Sequence, residues 1–162
     1  MVLATKLNKA SCLLLALLCA GCQADEANII DKTTIAGYEL QIVIDKTNCK
    51  LLSTKDGEQK TTPLNVKPPC HFIRRDNGET QQHAYPDKSI QALVLIVGTS
   101  ISEEKRQKWN LEKGLVCGEQ RQAIFITANE INVSDSILEG GIACKDKGAD
   151  EKDFAFFAQQ FE

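Results

Sequence analysis

Ile90-Gln91-Ala92-Leu93-Val94-Leu95-Ile96-Val97 is the stretch whose reading decides the fold. A half-exposed strand alternates apolar with polar residues, but this run is almost continuously apolar. It therefore reads as a strand covered on both faces. Working back from it, Cys70 to Arg75 and Glu79 to Tyr85 flank Asp76-Asn77-Gly78. Asn-Gly between extended runs signals a hairpin, because both central residues tolerate positive φ. Further upstream, Thr33 to Asp45 alternates, with Tyr38, Leu40, Ile42 and Ile44 on one face, as a half-buried strand does. Cys49 to Ser53 continues as a short second strand. Asp56-Gly57 supplies a turn, and the charged, proline-marked stretch from Thr54 to Lys67 reads as an exposed loop.

Downstream of the decisive run, Ser100 and Glu103 form a capping box for a helix over Glu103 to Lys113, closed by Gly114. Strand character returns at Leu115 to Cys117, Arg121 to Thr127, Glu130 to Val133 and Ser136 to Cys144, a meander turning at Ala128-Asn129 and Ser134-Asp135. At the end, Asp150 caps a helix on which Phe154, Ala155, Ala158 and Phe161 recur at helical spacing with Phe157 beside them. Such spacing of aromatics belongs to a core-facing helix. The expected fold is α+β: a single antiparallel sheet of six to eight short strands, a short middle helix, and a C-terminal amphipathic helix on one face. One globular domain, 29–162, follows a signal segment, 1–22, and a short tether, 23–28.

The signal segment is read from Lys6 and Lys9, the apolar run Leu13 to Leu18, and Ala20-Gly21-Cys22. A basic start, a short apolar middle and small residues at the end make an export signal, and the run is shorter than the roughly 20 apolar residues of a membrane span. The segment ending at Cys22 resembles the lipobox of bacterial lipoproteins, in which a small residue precedes the cysteine that receives diacylglycerol and becomes the new N-terminus. Ala20 and Gly21 fit that pattern, whereas Cys19 stands where the family usually has Leu. The resemblance implies a membrane contact through lipid on Cys22, and Gln23 in place of Asp implies the outer membrane. Ordinary cleavage after Ala24 is the alternative and would release a soluble periplasmic protein.

Export fixes the redox setting of the remaining cysteines. Cys49, Cys70, Cys117 and Cys144 are even in number and read as two disulfides. Three pairings satisfy the count. Joining Cys49 to Cys70 and Cys117 to Cys144 is preferred, since each closes a loop of about 20 to 30 residues and stabilises by about 3 kcal/mol. Among these four no C-x-x-C spacing is present, so no metal site is expected. Removing Lys6 and Lys9 takes the formal charge from −3 to −5 with acids and bases interspersed, which argues against nucleic acid or anionic lipid as the main partner.

Chemistry-bearing patterns are few. His71 and His83 are the only histidines, and no nucleophile elbow, phosphate-binding glycine loop, His-Glu-x-x-His or dinucleotide fingerprint accompanies them. Glu103 with Glu104, and Asp150 with Glu151 and Asp153, stand at expected helix starts, where negative side chains favour the helix dipole without any catalytic role. Asp146, Asp150 and Asp153 lack calcium-loop spacing. No catalytic residue and no cofactor is expected. Two basic surface stretches are candidate partner contacts: Lys55 and Lys60 on the charged loop, and Arg74 and Arg75 near the Asn77-Gly78 tip. The expectation is a non-catalytic envelope binding lipoprotein, an inhibitor or immunity-type protein whose partner is a periplasm-acting toxin or hydrolase. Alternatives are an accessory lipoprotein of a secretion or conjugation machine, and an envelope hydrolase. A cleft holding two carboxylates, or either histidine beside an ordered carboxylate, would favour the hydrolase.

Overall fold

The chain is described by a computed structural model over residues 28–161; the signal segment, Cys22 and tether residues 23–27 lie outside the described residues. The order is β1 (Asn28–Ile35), β2 (Tyr38–Asp45), β3 (Asn48–Lys55), β4 (Glu58–Pro63), β5 (His71–Phe72), β6 (Gln82–Tyr85), β7 (Ile90–Ser100), α1 (Glu103–Lys108), β8 (Cys117–Ile126), β9 (Ile131–Val133), β10 (Leu138–Cys144) and α2 (Glu151–Gln160). The fold is mostly β, with two short helices and two disulfides, Cys49–Cys70 and Cys117–Cys144.

There are two sheets, which corrects the expectation of one. The first is a meander, β1-β2-β3-β4; the second runs β10-β8-β7-β5, with β6 also on β7 and β9 also on β8. The physical reason lies in two hairpins. Thr33 to Asp45 is not one strand, because Ala36 (φ 49°) and Gly37 (φ 79°) turn the chain and pair Ile35 with Tyr38. The stretch after Asp56-Gly57 is not a loop, because Glu58–Pro63 returns along β3 as an exposed edge strand. Polar side chains and a terminal proline suit an edge, which has no neighbour on its far side.

The strand β7 is covered on both faces and so organises three layers. Its Val94 and Ile96 join Leu40, Ile42 and Leu51 of the first sheet, with Phe72 and Ile124, in the core between the sheets. Its Leu93, Leu95 and Val97 meet Phe125 and the helix residues Phe154, Phe157 and Ala158 on the other side. The helix α2 begins at Asp150, whose carboxylate accepts from the Lys152 amide at 3.0 Å.

Two local expectations also change. The Asn77-Gly78 hairpin forms at its tip, where the Arg75 amide donates to the Glu79 carbonyl at 2.8 Å, Arg74 bridges to Thr80 and the Gln81 amide donates to the Ile73 carbonyl at 2.9 Å, but beyond it β5 and β6 both pair with β7 instead of with each other. The long apolar strand would otherwise present an unpaired backbone edge. The middle helix stops at Lys108 instead of Lys113, capped by Ser102 and not Ser100, and Asn110 at φ 49° takes the chain out of the helical region.

One end of the sandwich gathers the turns Ala36-Gly37, Asp56-Gly57 and Thr127–Glu130. The other end carries both disulfides, the Lys46-Thr47 turn and α1. Close packing braces this second end. A side chain at Gly98 would place its Cβ 2.6 Å from Val66 Cβ, so only glycine lets the Val66–Lys67 segment lie across β7.

Candidate functional site

The hairpin-tip end holds an open cleft of about 580 Å³ between the β3–β4 hairpin and the β8–β9 turn. Tyr38, Ser53, Lys55 and Lys60 form one wall, and Asn129 and Glu130 form the other. Each is placed by backbone geometry. The two-residue turn at Asp56 (φ 51°) and Gly57 (φ 83°) sets β3 against β4 so that Ser53 faces Lys60 and Lys55 faces Glu58. On the opposite wall the Thr127 hydroxyl accepts from the Asn129 and Glu130 amides at 3.3 and 3.2 Å, fixing that turn. Lys55 Nζ stands 4.4 Å from the centroid of the Tyr38 ring, a cation–π contact that holds the ammonium at the rim. Lys60 is exposed. Asp56, Glu58 and Glu130 place carboxylates among the two ammonium groups, so the cleft is polar and of mixed charge.

Of the four basic residues expected to meet a partner, Lys55 and Lys60 come together here, and the arginines do not. Arg74 is turned inward, which corrects its assignment to the surface. Its Nη2 lies 2.6 Å from Asp31 Oδ1 and donates to the Lys32 carbonyl at 2.8 Å, while Nη1 donates to the Gly78 carbonyl at 3.1 Å. Arg75 is exposed beside the turn, on a different part of the molecule from the cleft.

Asp31 is the best-satisfied carboxylate of the inter-sheet joint. It accepts from the Phe72 amide at 3.0 Å and the Lys32 amide at 2.9 Å besides Arg74, and His71 Nδ1 lies 3.4 Å from Oδ2. The His71 nitrogen is at ion-pair distance but is not aligned for a hydrogen bond. Burial alone would raise the Asp31 pKa. The His71 and Arg74 side chains, with the charges of Arg74 and Lys145, outweigh it and hold the carboxyl below its ordinary value. Asp31 therefore fastens β1 of the first sheet to β5 and the Arg74 turn of the second.

The second histidine and the acidic residues at the two helix starts have structural surroundings. His83 stacks on Phe154 with ring centroids 4.2 Å apart, over the core under α2. Glu103 and Glu104 stand in the first turn of α1, and Glu151 and Asp153 in the first turn of α2. Asp153 Oδ2 lies 3.1 Å from Nε of the buried Arg121, tying the helix to β8. Burial, aided by Asp150, raises the Asp153 pKa against the pull of Arg121. Among the described residues no group of three His, Cys, Asp or Glu is placed to hold a metal ion.

Tyr38, Asn129 and Glu130 of the cleft, and Asp31 and Arg121 of the interior, were not singled out from the sequence as site residues. Asp31 carries a readable signal, since it falls in phase with the buried Ile35 along β1. Asn129 and Glu130 carry none, because a turn reveals nothing about which hairpin it faces. Compared with known proteins, the chain matches no family model, no curated protein and no solved structure.

Proposed function

We propose that this chain is a non-catalytic binding lipoprotein of the bacterial cell envelope, anchored by lipid on Cys22 to the outer membrane, and that it is an inhibitor or immunity-type protein for a periplasm-acting toxin or hydrolase. The observation that carries the reading is the hairpin-tip cleft with Lys55 and Lys60 on one wall. A rigid, disulfide-braced sandwich presents three turns and a polar recess at one end, the arrangement by which loops meet a partner while strands hold them in register. The two ammonium groups fit an acidic or carbonyl-rich protrusion of that partner, and the carboxylates beside them exclude partners of uniform negative charge.

The contact between His71 and Asp31 favours the hydrolase alternative, as do the carboxylates of the cleft, but neither supplies a reactive arrangement. The Asp31 oxygens are already occupied by Arg74 and two backbone amides, and Cys70, next to His71, is in a disulfide. His71 Nδ1 has no hydrogen-bond partner among the described residues, so the structure gives it no nucleophile to activate through that nitrogen. Asp56, Glu58 and Glu130 are exposed, whereas a carboxyl poised as a general acid is desolvated.

The test is titration of the purified chain with a toxin or hydrolase encoded beside its gene. Saturable binding with loss of that protein's activity supports the reading. Turnover of an envelope substrate by the chain itself, abolished in His71→Ala, overturns it in favour of the hydrolase.

A further inference from the structure

Three large apolar side chains are exposed among the described residues: Trp109 at 61%, Ile29 at 49% and Val116 at 36%. All three lie at the end of the sandwich opposite the cleft. Asn28, where β1 starts, pairs with Ile44 beside the Lys46-Thr47 turn. Next to that turn, Asn48 accepts from Lys67 Nζ at 3.1 Å, and the Lys67 carbonyl accepts from the Thr99 amide at 2.6 Å. Ser100 pairs with Gly118 across the foot of β7 and β8, and the segment carrying α1, Trp109 and Val116 makes the connection between those two strands. Lys46, Lys108 and Lys113 are exposed around the same end.

We infer that this end rests on the lipid surface, with Trp109 and Val116 seated among headgroups and the lysines facing lipid phosphates. The inference deepens the function proposed above and rests on its lipid-anchor part. Cys22 precedes Asn28 by six residues, a reach of about 20 Å at full extension. The eleven residues of β7 span about 36 Å, so a tether of that length holds the Asn28 end, not the cleft end, at the bilayer. An indole has an apolar body and one N–H donor, which suits the boundary between headgroups and acyl chains. Glu103, Glu104 and Glu112 share the segment with the lysines, so the contact is apolar first and electrostatic second. Seated this way, the cleft faces away from the membrane, toward a partner in the periplasm.

Trp109 is the single tryptophan of the chain, so tryptophan emission, excited at the red edge where the two tyrosines do not absorb, reports on this place alone. The protein, purified from its own membranes with its N-terminus intact, is reconstituted into vesicles of phosphatidylethanolamine and phosphatidylglycerol, with and without dibrominated acyl chains. The expected result is blue-shifted emission, quenched severalfold by the brominated lipid and protected from aqueous iodide, with the quenching reduced in Lys108→Glu/Lys113→Glu. Protein that floats with vesicles while Trp109 stays open to iodide and unquenched by bromine overturns the seating and leaves the anchor standing. An unacylated N-terminus overturns the anchor; the seating then survives only if the chain still floats and is quenched, and falls if it does not. Protection of Trp109 in a dimer without vesicles overturns the seating as well.

Discussion

Arg74 Nη2 sits 2.6 Å from Asp31 Oδ1, joining the turn after β5 to the edge strand of the other sheet. Both side chains are largely withdrawn from solvent, at 17% and 6% exposure, so removing one partner leaves a poorly solvated charge. Arg74→Ala should destabilise by about 2 kcal/mol, between the value of an exposed pair and the larger loss on breaking a fully buried one. Urea unfolding at neutral pH checks it.

The same joint sets a pH dependence. The folded Asp31 pKa lies below its ordinary 3.8, so its contribution is complete above that value and is lost as pH falls through the lower folded value. Comparing urea midpoints at about pH 7 and about pH 3, the native chain should lose more stability than Asp31→Asn. Equal losses would show that Asp31 is not held as described.

Phe157 of α2 is fully buried in the core where that helix packs on the sheet. Phe157→Ala should cost about 3 to 5 kcal/mol, by lost transfer energy and the cavity left behind. An unchanged melting temperature would mean that the helix does not close the second core layer.

The strand β7, the turns at Asp56-Gly57 and Asn77-Gly78, and the aromatic stripe of α2 were legible because each rests on a local pattern. The division into two sheets was not. Ala36-Gly37 lacks the Asn-Gly or Asp-Gly signature of a two-residue turn, and the clue was a change of phase: Asp31 and Ile35 are buried at odd positions, Leu40 and Ile42 at even ones. The strand β4 hid because its residues are exposed along nearly its whole length, so no apolar alternation marks it. Arg74 was misplaced for a related reason, since sequence shows charge but not the carboxylate 43 residues away that draws it inward. The cleft depended on the packing of distant hairpins and had no local signature.

The disulfide between Cys117 and Cys144 closes a loop of 27 residues beside the segment bearing Trp109. Replacing both cysteines by serine should lower stability by about 3 kcal/mol through the freer unfolded chain. Thermal melts of the two forms, each with Cys49–Cys70 intact, measure it.

Cys22→Ala should move the protein from the membrane to the soluble fraction if this cysteine is acylated. Cell fractionation with mass determination of the mature N-terminus reads the outcome. An unchanged distribution removes the lipid anchor.

The central claim is that the chain acts by contact through its hairpin-tip cleft. The most direct measurement is the affinity of the purified protein for a periplasm-acting toxin or hydrolase encoded beside its gene, made with the native chain and with Lys55→Glu/Lys60→Glu. Lys60 is exposed and Lys55 is half-buried at the rim of the cleft, where it gives up only the contact with the Tyr38 ring, so the double substitution should leave the fold intact. Saturable binding by the native chain, weakened tenfold or more by the charge reversal at about 1.4 kcal/mol per decade, is the result the account requires. Binding that ignores both lysines, or no binding at all, would contradict it.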